Sequence, residues 1–416
     1  MRTIDAALSL LKPGLRVFVH AGPSEPRALR EAIARDPERA RGVDFLGAFI
    51  PGLNATDYSA LAPDARVTAT FITPALSEGF AAGRVRMLPK SYSGFARWLA
   101  DNPPDIAILR VAPPGPDGRM SFGLNQDYAP IAARHARAII ALVDENMPQV
   151  VGEPGLESAR CAALVEVAED LTPFPAAPPS GTLAKVGANA ATLIRDGDTI
   201  QIGIGKVQSA VLANLFDRRD LGLHSGMIDD AIAALAEKSV LNNRRKSRDA
   251  GLSVTGMAIG TRKCWDYAMD ANVRFRAADY THSATIIGAQ ENFCAINSAL
   301  EVDLFGQCNA ELLNGRQVSG AGGFHDFQRG ALAAPGGRCI VALPSSAGAT
   351  SRIVARLDNP IVTGPRNDVD CIVTEHGVAR LRDLDVDARA QALIAVAAPE
   401  HRGALADQWR DLRKTL

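Results

Sequence analysis

Two glycine clusters are the places where this chain's backbone could do chemistry. In Gly203-Ile204-Gly205-Lys206 the glycines fall between a β-like run and a helix-like one. Backbone N–H groups at such a turn can approach an anion or a developing oxyanion closely, although a purely structural tight turn has the same sequence. The pattern is not G-x-G-x-x-G, because Gln208 stands at the third glycine position, and no P-loop pattern occurs. The second cluster is VSGAGGFHDF (318–327), with Gly320, Gly322 and Gly323 ahead of His325 and Asp326. Such glycine density costs conformational entropy and makes sense where a ligand or another backbone passes close by. Glu301 and Asp303 share one face of a β-like run, a spacing open to acid–base work or to holding neighbouring backbone. Glu375 follows a strand and reads as orienting the next helix, with His376 structural beside it. The histidines (His20, His135, His224, His282, His325, His376, His401) are too dispersed for a metal set, and no G-x-S-x-G elbow is present.

These residues need a scaffold to bring them together, and the sequence suggests one. RVFVH (16–20), VDFLGAFI (43–50), ARVTATFIT (65–73) and DIAILRVA (105–112) read as strands. EPRALREAIARD (25–36) and APIAARHARA (129–138) read as helices, and the alternation favours parallel α/β architecture. The stretch PPGPDGRMSFG (113–123) reads as too polar and Gly/Pro-rich for core. Proline density in LTPFPAAPPSG (171–181) marks a boundary between domains 1–180 and 181–416. The pattern then restarts. GDTIQIGIGKVQSAVLANL (197–215) repeats the plan of GLRVFVHAGPSEPRALREAI (14–33): glycine, β-run, small-residue turn, amphipathic helix. Two similar open α/β halves with a cleft between them are the predicted architecture.

With 45 Lys+Arg against 46 Asp+Glu, no global field attracts nucleic acid or an anionic membrane. The basic run NNRRKSRD (242–249) reads as a solvated loop. The opening Met1-Arg2-Thr3-Ile4-Asp5 is unlike a signal peptide, and no apolar run approaches the roughly 20 residues of a membrane span. The six cysteines are scattered without C-x-x-C, so free thiols in a reducing cytoplasm are expected.

Several blocks together resemble one family, the acetyl-CoA hydrolase/transferase group of class I CoA-transferases, which includes 4-hydroxybutyrate and acetate CoA-transferases. They are PPDIAILRVAPPGPDGRMSFGLNQDY (103–128), DGDTIQIGIG (196–205), LGLHSGMIDDA (221–231), VRFRAADYTHS (273–283), AINSALEVDLFGQ (295–307), SGAGGFHDFQRGA (319–331) and CIVTEHGVARLRDL (371–384). The resemblance implies an acyl-CoA held between two related α/β domains, commonly in a homodimer, with a small carboxylate as acceptor and no metal or redox cofactor. It implies CoA contacts at the turn Gly203, Ile204, Gly205, Lys206 and Val207, with Leu300 and Ser319 near the CoA chain. It also implies thioester oxyanion donors at the amides of Ile204 and Gly323. In the family a glutamate attacks the thioester, and CoA passes to an acceptor through an acyl-glutamyl anhydride and a glutamyl-CoA thioester.

The chain departs from that pattern where the reaction happens. The family reads H-[ST]-E, whereas this sequence reads His224-Ser225-Gly226. His282 stands where relatives carry an asparagine near the reacting carbonyl, and Pro335 where many carry a lysine near CoA. CoA transfer between a short acyl-CoA and a carboxylate is the function the resemblance implies, and three readings follow from the departures. A shifted acid, Asp229 or Asp230 in the first turn of a helix beginning at Met227, keeps transfer alive. Alternatively, His282 serves as base or electrophile in hydrolysis of a thioester or of a carbon–carbon bond in a CoA-bound keto acid. Third, the protein senses CoA esters without catalysis.

Overall fold

The computed structural model describes residues 3–176, 178, 179 and 181–416. A seven-stranded sheet organises the first lobe. Its strands are β1 (Arg16–Val19), β2 (Asp44–Gly47), β3 (Arg66–Ala69), β4 (Val85–Met87), β5 (Ile106–Val111), β6 (Ala138–Asp144) and β7 (Ala163–Val167). Their spatial order is β4-β3-β2-β1-β5-β6-β7, parallel throughout. Parallel strands covered on both faces must be apolar nearly end to end. That is what β5 (IAILRV) and β6 (AIIALVD) are, with every residue of β5 buried. Arg110 is the exception within β5, and Asp144 on the neighbouring strand receives its Nε at 2.6 Å.

The second lobe carries a six-stranded sheet: β8 (Thr199–Ile202), β9 (Gly222–Leu223), β10 (Phe293–Ser298), β11 (Arg338–Ala342), β12 (Cys371–Thr374) and β13 (Gly377–Arg380). The order is β9-β8-β10-β11-β12-β13, parallel except for the antiparallel edge strand β13. The fold is thus two open α/β lobes of similar plan. The helices that matter for the site are α1 (Tyr92–Asp101), α2 (Lys206–Leu212), α3 (Asp230–Glu237), α4 (Ala278–Thr281) and α5 (Phe324–Ala333). Helix Thr182–Ala191 backs α2 so closely that a Cβ on Gly187 would stand 2.2 Å from the carbonyl oxygen of Ala210. That contact fixes where α2, and the turn before it, can lie.

The apolar cores of the two lobes run into each other. Met227, Met257 and Ala278 of the second lobe pack with Phe95, Leu109 and Tyr128 of the first. Leu124 and Val150 of the first lobe join Ile200 and Phe275 of the second.

Several sequence expectations need correction. The stretch 113–123 is not excluded from the core, since Met120 and Phe122 are buried beneath the turn. The run 242–249 is not wholly solvated. Lys246 is buried, and its Nζ donates to the carbonyls of Leu223 (2.8 Å) and Leu252 (2.7 Å). Burial pushes its ammonium down to about 7. Glu375 is followed by strand β13 rather than a helix, and its carboxylate accepts from the amide (2.8 Å) and hydroxyl (2.7 Å) of Ser345. The proline-rich stretch 171–181 has no regular structure where it is described. Ala177 and Ser180 within it, like Met1 and Arg2 at the start, lie outside the described residues.

Candidate functional site

The two βα turns that share a sequence plan meet different fates. In the first lobe the turn after β1 is filled by Asn54. Its Oδ1 accepts from the amide of Gly22 (3.0 Å), and its Nδ2 donates to the Gly22 carbonyl (3.1 Å). In the second lobe, among the described residues, no side chain hydrogen-bonds the turn after β8 in this way, although Gln208 lies against Gly205. Gly203 and Ile204 line a cavity of about 380 Å³, and Gly205, at φ +144°, caps α2. Loop Ser319–Gly323 lines the same cavity from the start of α5. Among the described residues, no acceptor in the chain takes the amide hydrogen of Ile204 or of Gly323.

The loop is placed by the first lobe. A Cβ on Gly320 would stand 2.0 Å from the carbonyl oxygen of Thr70, so only glycine permits that approach. Asp326 accepts from the amide (2.9 Å) and hydroxyl (2.6 Å) of Ser93 at the start of α1.

Gly226 and His282 reach the same cavity from two further elements. The Gly226 backbone is pinned: its carbonyl accepts from the amides of Gly256 and Met257, both at 3.1 Å. Its φ is not in the left-handed region, so conformation does not demand glycine here. Space does. A Cβ at 226 would meet His282 Cε1 at 2.8 Å and Nε2 at 3.0 Å. The imidazole ends α4, its Nδ1 lying 2.8 Å from Thr281 Oγ1, while Nε2 has no partner among the described residues. Burial first, and then nearby His224, lowers its pKa to about 3. The ring is neutral at physiological pH. Behind it, His224 Nε2 lies 3.0 Å from the carbonyl of Thr281, and burial lowers its pKa to about 3 as well.

No carboxylate lines the cavity among the described residues. The expectation of a helix beginning at Met227 is corrected: Met227–Ile228 is a short strand, and α3 starts at Asp230. The acids there are occupied. Asp229 caps α3, accepting from the amides of Ala231 (3.1 Å) and Ile232 (2.9 Å). Asp230 accepts from the amides of Thr261 and Cys264, both at 3.0 Å. Glu301 accepts from Asn309 (3.1 Å) and Asn359 (2.7 Å), and Asp303 holds the turn amides of Phe305 and Gln307. Glu301 and Asp303 are not paired for acid–base work.

The structure therefore gathers Gly203, Ile204, Gly226, His282, Ser319 and Gly323 on one cavity wall. Gly205, Lys206, Val207 and Leu300 are not on it: Lys206 is exposed, Val207 packs inward, and the Leu300 amide donates to Asn309 at 2.7 Å. Pro335 is exposed beyond the other end of α5 from Gly323. Sequence reasoning missed the wall supplied by the first lobe (Ile50, Pro51, Phe71, Tyr92) and the amides Gln201, Gln208 and Asn297. Asn297, a polar residue at an inward position of the apolar run FCAINS, was a signal in plain view; its Nδ2 is buried without a partner among the described residues. Among the described residues no cluster of His, Cys, Asp or Glu could hold a metal ion.

Comparison with known proteins agrees with this architecture. Residues 1–158 match the acetyl-CoA hydrolase/transferase N-terminal domain, and residues 260–409 match the corresponding C-terminal domain. The chain is 34% identical to the 4-hydroxybutyrate coenzyme A transferase of Clostridium kluyveri, over 98% of this chain and 96% of that protein. It is 30% identical to the butyryl-CoA:acetate CoA-transferase of Anaerostipes caccae, over 100% and 98%. RipA from Yersinia pestis superposes with a TM-score of 0.93 at 31% identity, covering 99% of this chain and 97% of that one. A 4-hydroxybutyrate CoA-transferase from Porphyromonas gingivalis superposes at 0.83 and 30% identity, covering 100% and 97%. By sequence along its whole length and by the superposition of both lobes, the chain belongs to the acetyl-CoA hydrolase/transferase family.

Proposed function

We propose that this protein binds a CoA thioester between its two lobes and hydrolyses it, without exchanging CoA through a carboxylate of its own. The observation that carries the reading is the pairing of Gly226 with His282. The position at which the resemblance implies a glutamate nucleophile carries no side chain, and an imidazole edge stands where a Cβ would be. In the proposed reaction His282 Nε2 takes a proton as water adds to the thioester carbonyl. The oxyanion is held by the amides of Ile204 and Gly323, donors fixed before charge develops. Collapse breaks the C–S bond, and the proton passes to the departing sulfur, leaving a carboxylic acid and free CoA. The apolar side chains of Ile50 and Phe71 from the first lobe and Met227 and Met257 from the second support a short, uncharged acyl group in the cavity.

The reading extends to an acyl-CoA-metabolising enzyme with domains at 1–180 and 181–416, acting as a cytosolic homodimer. Among the described residues no helix is long and apolar enough to cross a membrane. The test is incubation with acetyl-CoA or butyryl-CoA, with and without acetate, followed by borohydride trapping and mass spectrometry. Hydrolysis predicts CoA release without a protein adduct, cut by about 100- to 10,000-fold in His282→Ala. A glutamyl or aspartyl adduct on Asp229, Asp230 or Glu301 overturns it in favour of transfer.

A further inference from the structure

Resting on the hydrolytic reading is a second question: what holds the His282 ring with Nε2 toward the cavity? A histidine at the end of a helix as short as α4 is free to turn unless its ring is gripped. Thr281 Oγ1 meets Nδ1 at 2.8 Å. Two aromatic rings meet the imidazole itself, Tyr92 with centroids 4.3 Å apart at 32° and Phe327 at 4.6 Å and 54°. Phe327 belongs to the same lobe as His282. Tyr92 does not.

Tyr92 is the first residue of α1 and is fixed at each of its ends. Its amide donates to the carbonyl of Gly322 at 2.9 Å, and its own carbonyl accepts from Tyr128 Oη at 3.0 Å. Its hydroxyl donates to Asp127 Oδ2 at 2.6 Å. Asp127 is fully buried, and among the described residues the Tyr92 hydroxyl is the only donor to its carboxyl group. The phenol is thus held at its far end by a buried carboxyl, which fixes the ring plane against the imidazole.

We propose that Tyr92, contributed by the first lobe, is the positioning residue for His282: anchored to Gly322 and Asp127, its ring sets the imidazole with Nε2 on the cavity beside Gly226 and Gly323. The test uses the full-length protein with Tyr92→Phe and Tyr92→Leu. Loss of the hydroxyl anchor lowers kcat for CoA release about tenfold. Loss of the ring lowers it on the order of 100-fold, as a misplacement of about 1 Å does, while KM stays within about twofold. In the His282→Ala background Tyr92→Leu adds no further loss. The 15N spectrum of the His282 ring, recorded without substrate, shows one tautomer in the wild type and in Y92F and averaging of both in Y92L. If Y92L slows the H282A enzyme as much as the wild type, or leaves the His282 resonances unchanged, Tyr92 is packing only and the proposal falls. Should the wild type release no CoA, the hydrolytic reading fails instead, and the ring spectrum still decides this assignment.

Discussion

The contact between Gly226 and His282 can be weighed by a substitution cycle. Adding one methyl group at 226 sets carbon atoms 2.8 Å apart, against an optimum of about 3.5–4.0 Å. The ring would have to retreat by about 0.7 Å. It is hemmed in by Thr281, Tyr92 and Phe327, so the strain has little room to relax. Overpacking of this kind costs about 1–3 kcal/mol. With His282→Asn the clash disappears. Gly226 lies outside the left-handed region, so alanine is then neutral or stabilising by about 0.4–1 kcal/mol through the unfolded chain. The predicted coupling between G226A and H282N is therefore about 1–3 kcal/mol, read from urea unfolding at constant m-value. The same logic extends to chemistry. Gly226→Glu alone supplies a carboxylate that cannot settle, whereas G226E with H282N gives it room. Acetate-dependent CoA exchange and a trappable glutamyl adduct are expected in the double variant and not in the single one. Equal penalties for G226A in both backgrounds, or full exchange by G226E alone, would refute the reasoning.

Three further outcomes follow from the buried groups. His282 has a pKa lowered to about 3, so its contribution to stability is present above the unfolded value of 6.5 and lost as pH falls. Between about pH 6.5 and 5 the wild type should lose about 2 kcal/mol of unfolding free energy that H282N retains, as measured by denaturant titration. Asp127 moves the other way. Burial raises its pKa to about 7, so its contribution is complete below 3.8 and fades as pH rises through 7. Asp127→Asn should remove a decline of about 2–3 kcal/mol between pH 5 and 7, and an unchanged pH slope would contradict the assignment. Asp229→Ala, which removes the cap of α3, is expected to cost about 1 kcal/mol in thermal or urea unfolding while leaving CoA release intact. Loss of turnover at unchanged stability would return Asp229 to the chemistry.

How much of this was legible in the sequence depends on the kind of signal. The strands of the first sheet show as apolar runs because burial on both faces leaves them no polar positions. The two cavity-facing turns show as glycine clusters because close backbone approach excludes side chains. What stayed hidden has a common cause. Asp229 and Asp230 are acids in the right neighbourhood, and only coordinates reveal that helix and turn amides already occupy them. Lys246 reads as one charge in a basic run, yet two backbone carbonyls draw it inside. Tyr92 and Phe71 are separated from the second-lobe site by more than a hundred residues, and no local period marks a residue that serves a distant lobe.

The loop that carries Gly323 leans on Thr70 and on Ser93, residues of the lobe to which it does not belong. Its shape is therefore borrowed, and the loan is called in whenever the lobes part. Under the proposed hydrolysis, any condition that parts the lobes extinguishes turnover, so loss of activity reports the seam between the halves rather than the strength of their cores.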